Sequence, residues 1–250
     1  MLTFGSLFSG IGGMDLGLER AGLRCVWQVE INDFCRRVLA KHWPGVRRHD
    51  DVRTFPPADP SEWSCDVIAG GFPCQDISTA GPKTGLAGER SGLWAEYARI
   101  VGLVRPRHVL VENVAAMLGR GLDRVLGDLA ALGFDAGWDC IPAAYVGAPI
   151  GREGRDRLWL VAHAHGRGCC RPGVSRATRR QLVAGVARGG VSVPRLAGAM
   201  SGHWDVEPGV GRVADGIPRR VDRLRGLGNA VVPQVAEWLG RRLLAAHGGG

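Results

Sequence analysis

The sequence predicts an α/β fold, a parallel-rich sheet covered by helices on both faces, and three observations lead there. The chain has 250 residues, enough for one substantial domain or a domain with a small satellite. Its composition, 45% hydrophobic and 22% charged, is that of a globular protein and not of a disordered or fibrous one. Short apolar, β-prone runs alternate with segments of helical spacing, the pattern of strand–helix–strand units.

The elements follow in order. Leu2 to Phe8 is a β-prone run that enters the glycine loop Ser9-Gly10-Ile11-Gly12-Gly13. A helix carrying Met14, Leu16 and Leu18 then stops at Gly22, a natural C-cap. Leu23 to Val29 is a second strand, ending at Glu30. Asn32 caps a helix that bears Phe34, Val38 and Leu39 and stops before Pro44. Asp66 to Ala69 and His108 to Val111 are short buried strands, with a helix from Leu93 to Val104 between them. Leu122 to Leu132 forms an amphipathic helix ended by Gly133. Strands near Phe134 to Ile141 and Leu158 to Ala162 complete the alternation, and Val231 to Leu244 is a final helix.

Charge and cysteine content narrow the function classes. A net charge of +8 makes a polyanion a plausible partner. Between Leu158 and Trp204 lie seven arginines and no acidic residue: Arg167, Arg171, Arg176, Arg179, Arg180, Arg188 and Arg195. Such a run favours phosphate contact over a merely solvated face. No stretch approaches the roughly 18 apolar residues of a membrane span, and the N-terminus lacks the pattern of a signal peptide. Seven cysteines without a Cys-x-x-Cys pair point to a reduced, cytoplasmic compartment. His163 and His165, followed by Cys169-Cys170, fit no standard zinc spacing, so no metal is expected.

Two features carry chemistry. Glu30 stands about 20 residues beyond the glycine loop, where a carboxylate accepts hydrogen bonds from both ribose hydroxyls of a nucleoside cofactor. Gly70-Gly71-Phe72-Pro73-Cys74-Gln75-Asp76-Ile77-Ser78 follows a strand directly and displays a cysteine on a loop at the carboxyl edge of the sheet. Cys25, Cys35, Cys65 and Cys140 sit inside regular elements and read as small buried hydrophobes.

The Pro73-Cys74-Gln75 loop resembles the nucleophile loop of DNA (cytosine-5)-methyltransferases, bacterial or phage, and the resemblance extends over nearly the whole chain. It takes in the loop at residues 8–13, Glu30, Asp51-Val52-Arg53, Glu112-Asn113-Val114 and Gly228-Asn229-Ala230-Val231-Val232-Pro233. One motif departs from the family: the Gln-x-Arg-x-Arg after a Gly-x-Pro turn is here Glu153-Gly154-Arg155-Asp156-Arg157, about three residues late.

The resemblance implies a Rossmann-like S-adenosylmethionine-dependent methyltransferase domain with a small inserted target-recognition module. The catalytic body would span 1–162, the basic module 163–214, and a returning segment 215–250. The cofactor pocket would comprise Phe8, Gly10, Ile11, Gly12, Glu30, Ile31, Asp51, Val52, Pro73, Leu93, Asn229 and Val231. Cys74 would add to C6 of a cytosine flipped out of duplex DNA. Glu112 would donate to N3, Arg155 would hold O2, and Arg157 would favour the thiolate. Ser78, Arg167, Arg171, Arg176, Arg179 and Arg180 would contact the nucleic acid. A monomer acting on double-stranded DNA is expected, with a cognate restriction endonuclease as a candidate partner. The same chemistry on transfer RNA, and a non-catalytic nucleic-acid-binding derivative, stay open at this point.

Overall fold

The computed structural model of the chain describes residues 1–73, 92–148, 156–165 and 220–248. The loop that carries Cys74 and Ser78, Arg155, and the arginines from Arg167 to Arg195 lie outside the described residues.

The central sheet has seven strands: β1 (Thr3–Leu7), β2 (Arg24–Val29), β3 (Arg47–His49), β4 (Val67–Gly70), β5 (His108–Val114), β6 (Phe134–Pro142) and β7 (Asp156–Ala164). Their order across the sheet is β3-β2-β1-β4-β5-β7-β6. The first five are mutually parallel, whereas β7 is inserted antiparallel between β5 and β6. Helices α1 (Gly13–Ala21), α2 (Asp33–His42), α3 (Gly92–Val104), α4 (Leu122–Ala131), α5 (Arg220–Asn229) and α6 (Pro233–Gly248) complete the described elements.

The strands read as apolar runs because both sheet faces are covered, as in most parallel sheets. Side chains alternate between two cores with the period of two that a strand imposes. Leu7, Ile68, Val109 and Val111 enter one core with Tyr97 and Ile100 of α3 and Val125 of α4. Phe4, Val67, Ala69 and Leu110 enter the other with Leu18 of α1 and Val235, Ala236 and Leu239 of α6. The latter core joins α1 to α6, so the 229–233 segment returns to the glycine loop. There Gly13 comes so close that an added Cβ would lie 2.3 Å from the Val231 carbonyl oxygen.

Two elements escape the sequence pattern. Strand β3 is an edge strand of three polar residues, Arg47-Arg48-His49, with no apolar alternation to announce it. Helix α5 is also strongly polar and ends in Gly226-Leu227-Gly228-Asn229, with no clear apolar stripe. The last helix starts later than its apolar run, at Pro233, whose fixed φ and absent N–H suit a first helical position.

Candidate active site

The sheet order reverses at the boundary between β1 and β4, and the space beyond the carboxyl ends of such strands is where open α/β sheets bind ligands. A cleft of about 470 Å³ opens there, within the usual range for a small-molecule site. It is lined by residues that the sequence spreads from Phe8 to Asn229, brought together from the ends of β1 to β5 and the turns that follow them, from β7, and from α2, α3 and α5.

On one side the cleft is built around Glu30. One carboxylate oxygen, Oε2, accepts the Gly10 amide and the other, Oε1, accepts the Asn32 amide, each at 2.8 Å. Asn32 in turn caps α2 by accepting the Cys35 amide at 3.1 Å. The carboxylate is thus oriented by main chain on both oxygens, and each oxygen retains acceptor capacity for a further donor. Phe8 closes the same side; its ring lies 6.4 Å from that of Tyr97 in a stacked arrangement. Asp51 follows β3 in a turn where its Oδ1 accepts the Arg53 amide at 2.9 Å, and Val52 beside it is buried.

Beneath the glycine loop lies a polar cluster that the sequence did not announce. The Asp15 carboxylate, completely buried in the first turn of α1, accepts from Ser6 Oγ at 3.0 Å and Gln28 Nε2 at 2.8 Å. Ser9 Oγ donates to Ser6 Oγ at 2.9 Å, linking the loop to that cluster. Loss of hydration pushes the Asp15 carboxyl up to about 6, against the lowering effect of its hydrogen bonds.

On the opposite side stands Glu112, near the end of β5. In the antiparallel register Glu112 faces Trp159 and Val114 faces Arg157, which sets Arg157 diagonally across from the glutamate. The Arg157 Nε donates to Glu112 Oε1 at 3.0 Å, in a position where the carboxylate is largely shielded from solvent. The other oxygen, Oε2, reaches over Gly71, where an added Cβ would stand 2.5 Å away. A larger residue at Gly71 would push that carboxylate aside. Asn113 Nδ2 donates to the Phe72 carbonyl at 3.2 Å, so Glu112-Asn113 hold the turn that leads through Pro73 to Cys74.

Of the residues expected from the sequence, Phe8, Gly10, Glu30, Ile31, Asp51, Val52, Pro73, Leu93, Glu112, Arg157 and Asn229 share this cleft. Ile11 and Gly12 do not line it: Ile11 packs toward Gly226 of α5, and the bare side of Gly12 faces the Trp43 ring. Val231 lines a small adjoining recess with Gly10, Gly71 and Glu112. Asp222 and Gly226 of α5 line the main cleft without having been anticipated. The Glu112–Arg157 pair was equally unforeseen, because Arg157 had been read only as a charge near the thiol.

The remaining described cysteines are poor nucleophiles. Burial raises the thiols of Cys25, Cys35, Cys65 and Cys140, that of Cys35 to about 11 with help from the charges of Glu30 and Asp222. Cys25 and Cys35 are buried as expected, whereas Cys65 and Cys140 are half-buried. His163 contacts His108 (Nδ1 to Nδ1, 2.8 Å) and His165 pairs with Asp135. Among the described residues no three metal-ligating side chains converge, and no helix is long and apolar enough to cross a membrane.

Comparison with known proteins decides the family. The family model for C-5 cytosine-specific DNA methylases matches residues 2–177, well over half of the chain. The chain belongs to the C-5 cytosine-specific DNA methylase family. Among curated relatives of this chain, the Type II methyltransferase M2.BsuMI of Bacillus subtilis (strain 168) is 37% identical over 168 residues. That match takes in 63% of this chain and 41% of the relative. The Type II methyltransferase M.NgoFVII of Neisseria gonorrhoeae is 34% identical over 152 residues, 59% of this chain and 41% of the relative. The chain therefore spans about two-fifths of the length of these relatives. A DNA modification methyltransferase encoded within an E. coli prophage has a similar solved structure, with TM-score 0.55 and 25% identity over 66% of this chain and 47% of that one. A DNMT2 structure from Spodoptera frugiperda, at 21% identity and TM-score 0.56 over 67% of this chain and 51% of that one, shares the fold.

Proposed function

We propose that this chain transfers a methyl group from S-adenosylmethionine to C5 of cytosine in duplex DNA. The observation that carries the reading is the single cleft at the sheet's switch point. It joins an amide-braced Glu30 on one wall to the Glu112–Arg157 pair on the other, with Pro73, the residue before Cys74, opening on the same space.

The cofactor fits the donor set on the β2 side. Glu30, already oriented by two amides, would take both ribose hydroxyls, Asp51 and Val52 would meet the adenine, and Phe8, Leu93 and Asn229 would line the remainder. When bound there, S-adenosylmethionine supplies an electrophilic methyl group. The chain's own residues must make C5 able to receive it, because cytosine C5 is a weak nucleophile. The Cys74 thiolate would add to C6, the C5–C6 double bond becoming negative charge that spreads from C5 toward N3. Glu112, held by Arg157, would give a hydrogen bond or a proton at N3, and Arg155 would stabilise O2. Once C5 has gained its substituent, loss of the C5 proton returns an electron pair to the ring and expels the thiolate. Such access to C5 and C6 requires the base to leave the stacked duplex. The arginines from Arg167 to Arg180, with Ser78, are the proposed DNA contacts, and the Type II names of the relatives support a setting beside a restriction endonuclease.

The test is transfer of a labelled methyl group to plasmid DNA, with transfer RNA as the parallel substrate. Label in DNA 5-methylcytosine, absent with Cys74→Ala, is the expected result. Label in RNA alone, or in neither substrate, would overturn the reading.

A further inference from the structure

The turn that carries Asp51 and Val52 buries the Val52 side chain, yet its carbonyl groups on the α3 side are met from another element. Strand β3 ends at His49, and the turn closes on itself through the Thr54 and Phe55 amides, each donating to the Asp51 carbonyl at 3.2 Å. Its far end is anchored by the buried Phe55 ring, 4.6 Å from that of Trp27 and 4.9 Å from that of His49. Its near end, the part that faces the cleft, is held from a different element. Arg99 of α3 donates through Nη2 to the Val52 carbonyl at 2.9 Å and to the Phe55 carbonyl at 2.6 Å. Its Nε bonds Glu96 at 2.7 Å, which fixes the plane of the guanidinium. Arg99 is not among the residues that line the cleft. The same helix reaches the cleft elsewhere, through Leu93 on its wall and through Tyr97 behind Phe8.

We propose that Arg99 is a positioning residue for the cofactor, fixing Val52 and Asp51 at the adenine end of the cleft without touching the cofactor itself. The proposal rests on the cleft being the S-adenosylmethionine site. An arginine suits the task because one planar fork serves two carbonyls and a carboxylate at once. A lysine ammonium has the charge but not the fork, so Arg99→Lys should be an intermediate case.

The probe is S-adenosylhomocysteine, titrated by calorimetry into the full chain. Arg99→Ala should weaken binding about tenfold, the scale set by lost hydrogen bonds to a charged group. With saturating cofactor its turnover should stay within about twofold of wild type, the signature of lost binding common to ground and transition states. If Arg99 acts through the turn, its effect should overlap with that of Asp51→Ala. The double variant should then bind more tightly than the product of the two single losses predicts. S-inosylhomocysteine, which replaces the adenine amino group by oxygen, should be discriminated less well by Arg99→Ala than by wild type. A folded Arg99→Ala with unchanged affinity, or losses fully multiplicative with Asp51→Ala, would overturn the proposal. Should Arg99→Ala not fold, Arg99→Lys and Arg99→Gln carry the same cycle. Failure of the wild-type chain to bind either probe would bring down the cofactor reading, and the proposal with it, before any substitution is compared.

Discussion

On the β2 side of the cleft both oxygens of Glu30 rest on main-chain amides, whereas on the β5 side an oxygen of Glu112 is met by the side chain of Arg157. Main-chain donors are set by the course of the backbone and change little when a ligand arrives. A guanidinium on a half-exposed side chain can exchange partners. The contrast separates a wall that is complete once the chain has folded from a wall whose acid has a partner able to follow the charge of a reacting ring. On the proposed reading, binding falls to the rigid wall and chemistry to the adjustable one.

The sharpest way to break that contrast is to alter the adjustable wall. Glu112→Gln keeps an acceptor for Arg157 but cannot deliver a proton, so the rate of methyl transfer should fall by about 10²–10⁴, the usual worth of general acid–base help. Cofactor affinity in the same variant should be unchanged. A variant that loses cofactor affinity in step with rate would erase the division between the walls.

Asp15 tests how firmly the other wall is founded. Its carboxyl sits at about 6 instead of the ordinary 3.8, raised chiefly by burial, with Glu19 adding and the bonds from Gln28 and Ser6 opposing. Between about pH 4 and 6 the folded state keeps a proton that the unfolded chain has lost. Stability from this group is therefore highest at low pH and declines as pH rises through 6, a cost of about 3 kcal/mol when complete. Asp15→Asn cannot ionise and should lack this decline. Urea unfolding should show the stability difference between variant and wild type moving in the variant's favour by up to about 3 kcal/mol between pH 4 and pH 7. A difference independent of pH would mean that Asp15 stays ionised or reaches water.

The rigid wall is tested directly at Glu30 itself. On the proposed reading Glu30→Ala would remove two hydrogen bonds to ribose hydroxyls, each worth roughly 1.5–3 kcal/mol. S-adenosylmethionine binding measured by calorimetry should weaken at least about tenfold. Unchanged affinity would make Glu30 a brace for the glycine loop and nothing more.

Much of this architecture was legible in the sequence because covered parallel strands are uniformly apolar and glycine, asparagine and proline mark the helix ends. The motif residues were legible for another reason: their types and order along the chain carry the chemistry. The partnership of Glu112 and Arg157, 45 positions apart in numbering, was not legible, since it depends on the register of an antiparallel pair that sequence spacing does not encode. The same holds for Arg99, whose partners are carbonyl groups and leave no mark on side-chain pattern. Strand β3 and helix α5 were missed because both are polar, and an edge strand of three residues has no period to detect.

On the proposed reading Cys74 forms a covalent bond to C6 of the target base. DNA carrying 5-fluorocytosine at the methylated position permits addition and methyl transfer, but fluorine cannot leave C5 as a cation, so the adduct is trapped. The expected product is a protein–DNA complex that survives denaturing electrophoresis, forms only with S-adenosylmethionine, maps to Cys74 by peptide analysis and is absent with Cys74→Ala. A trapped complex that maps to another cysteine, or persistent methylation by Cys74→Ala, would contradict it.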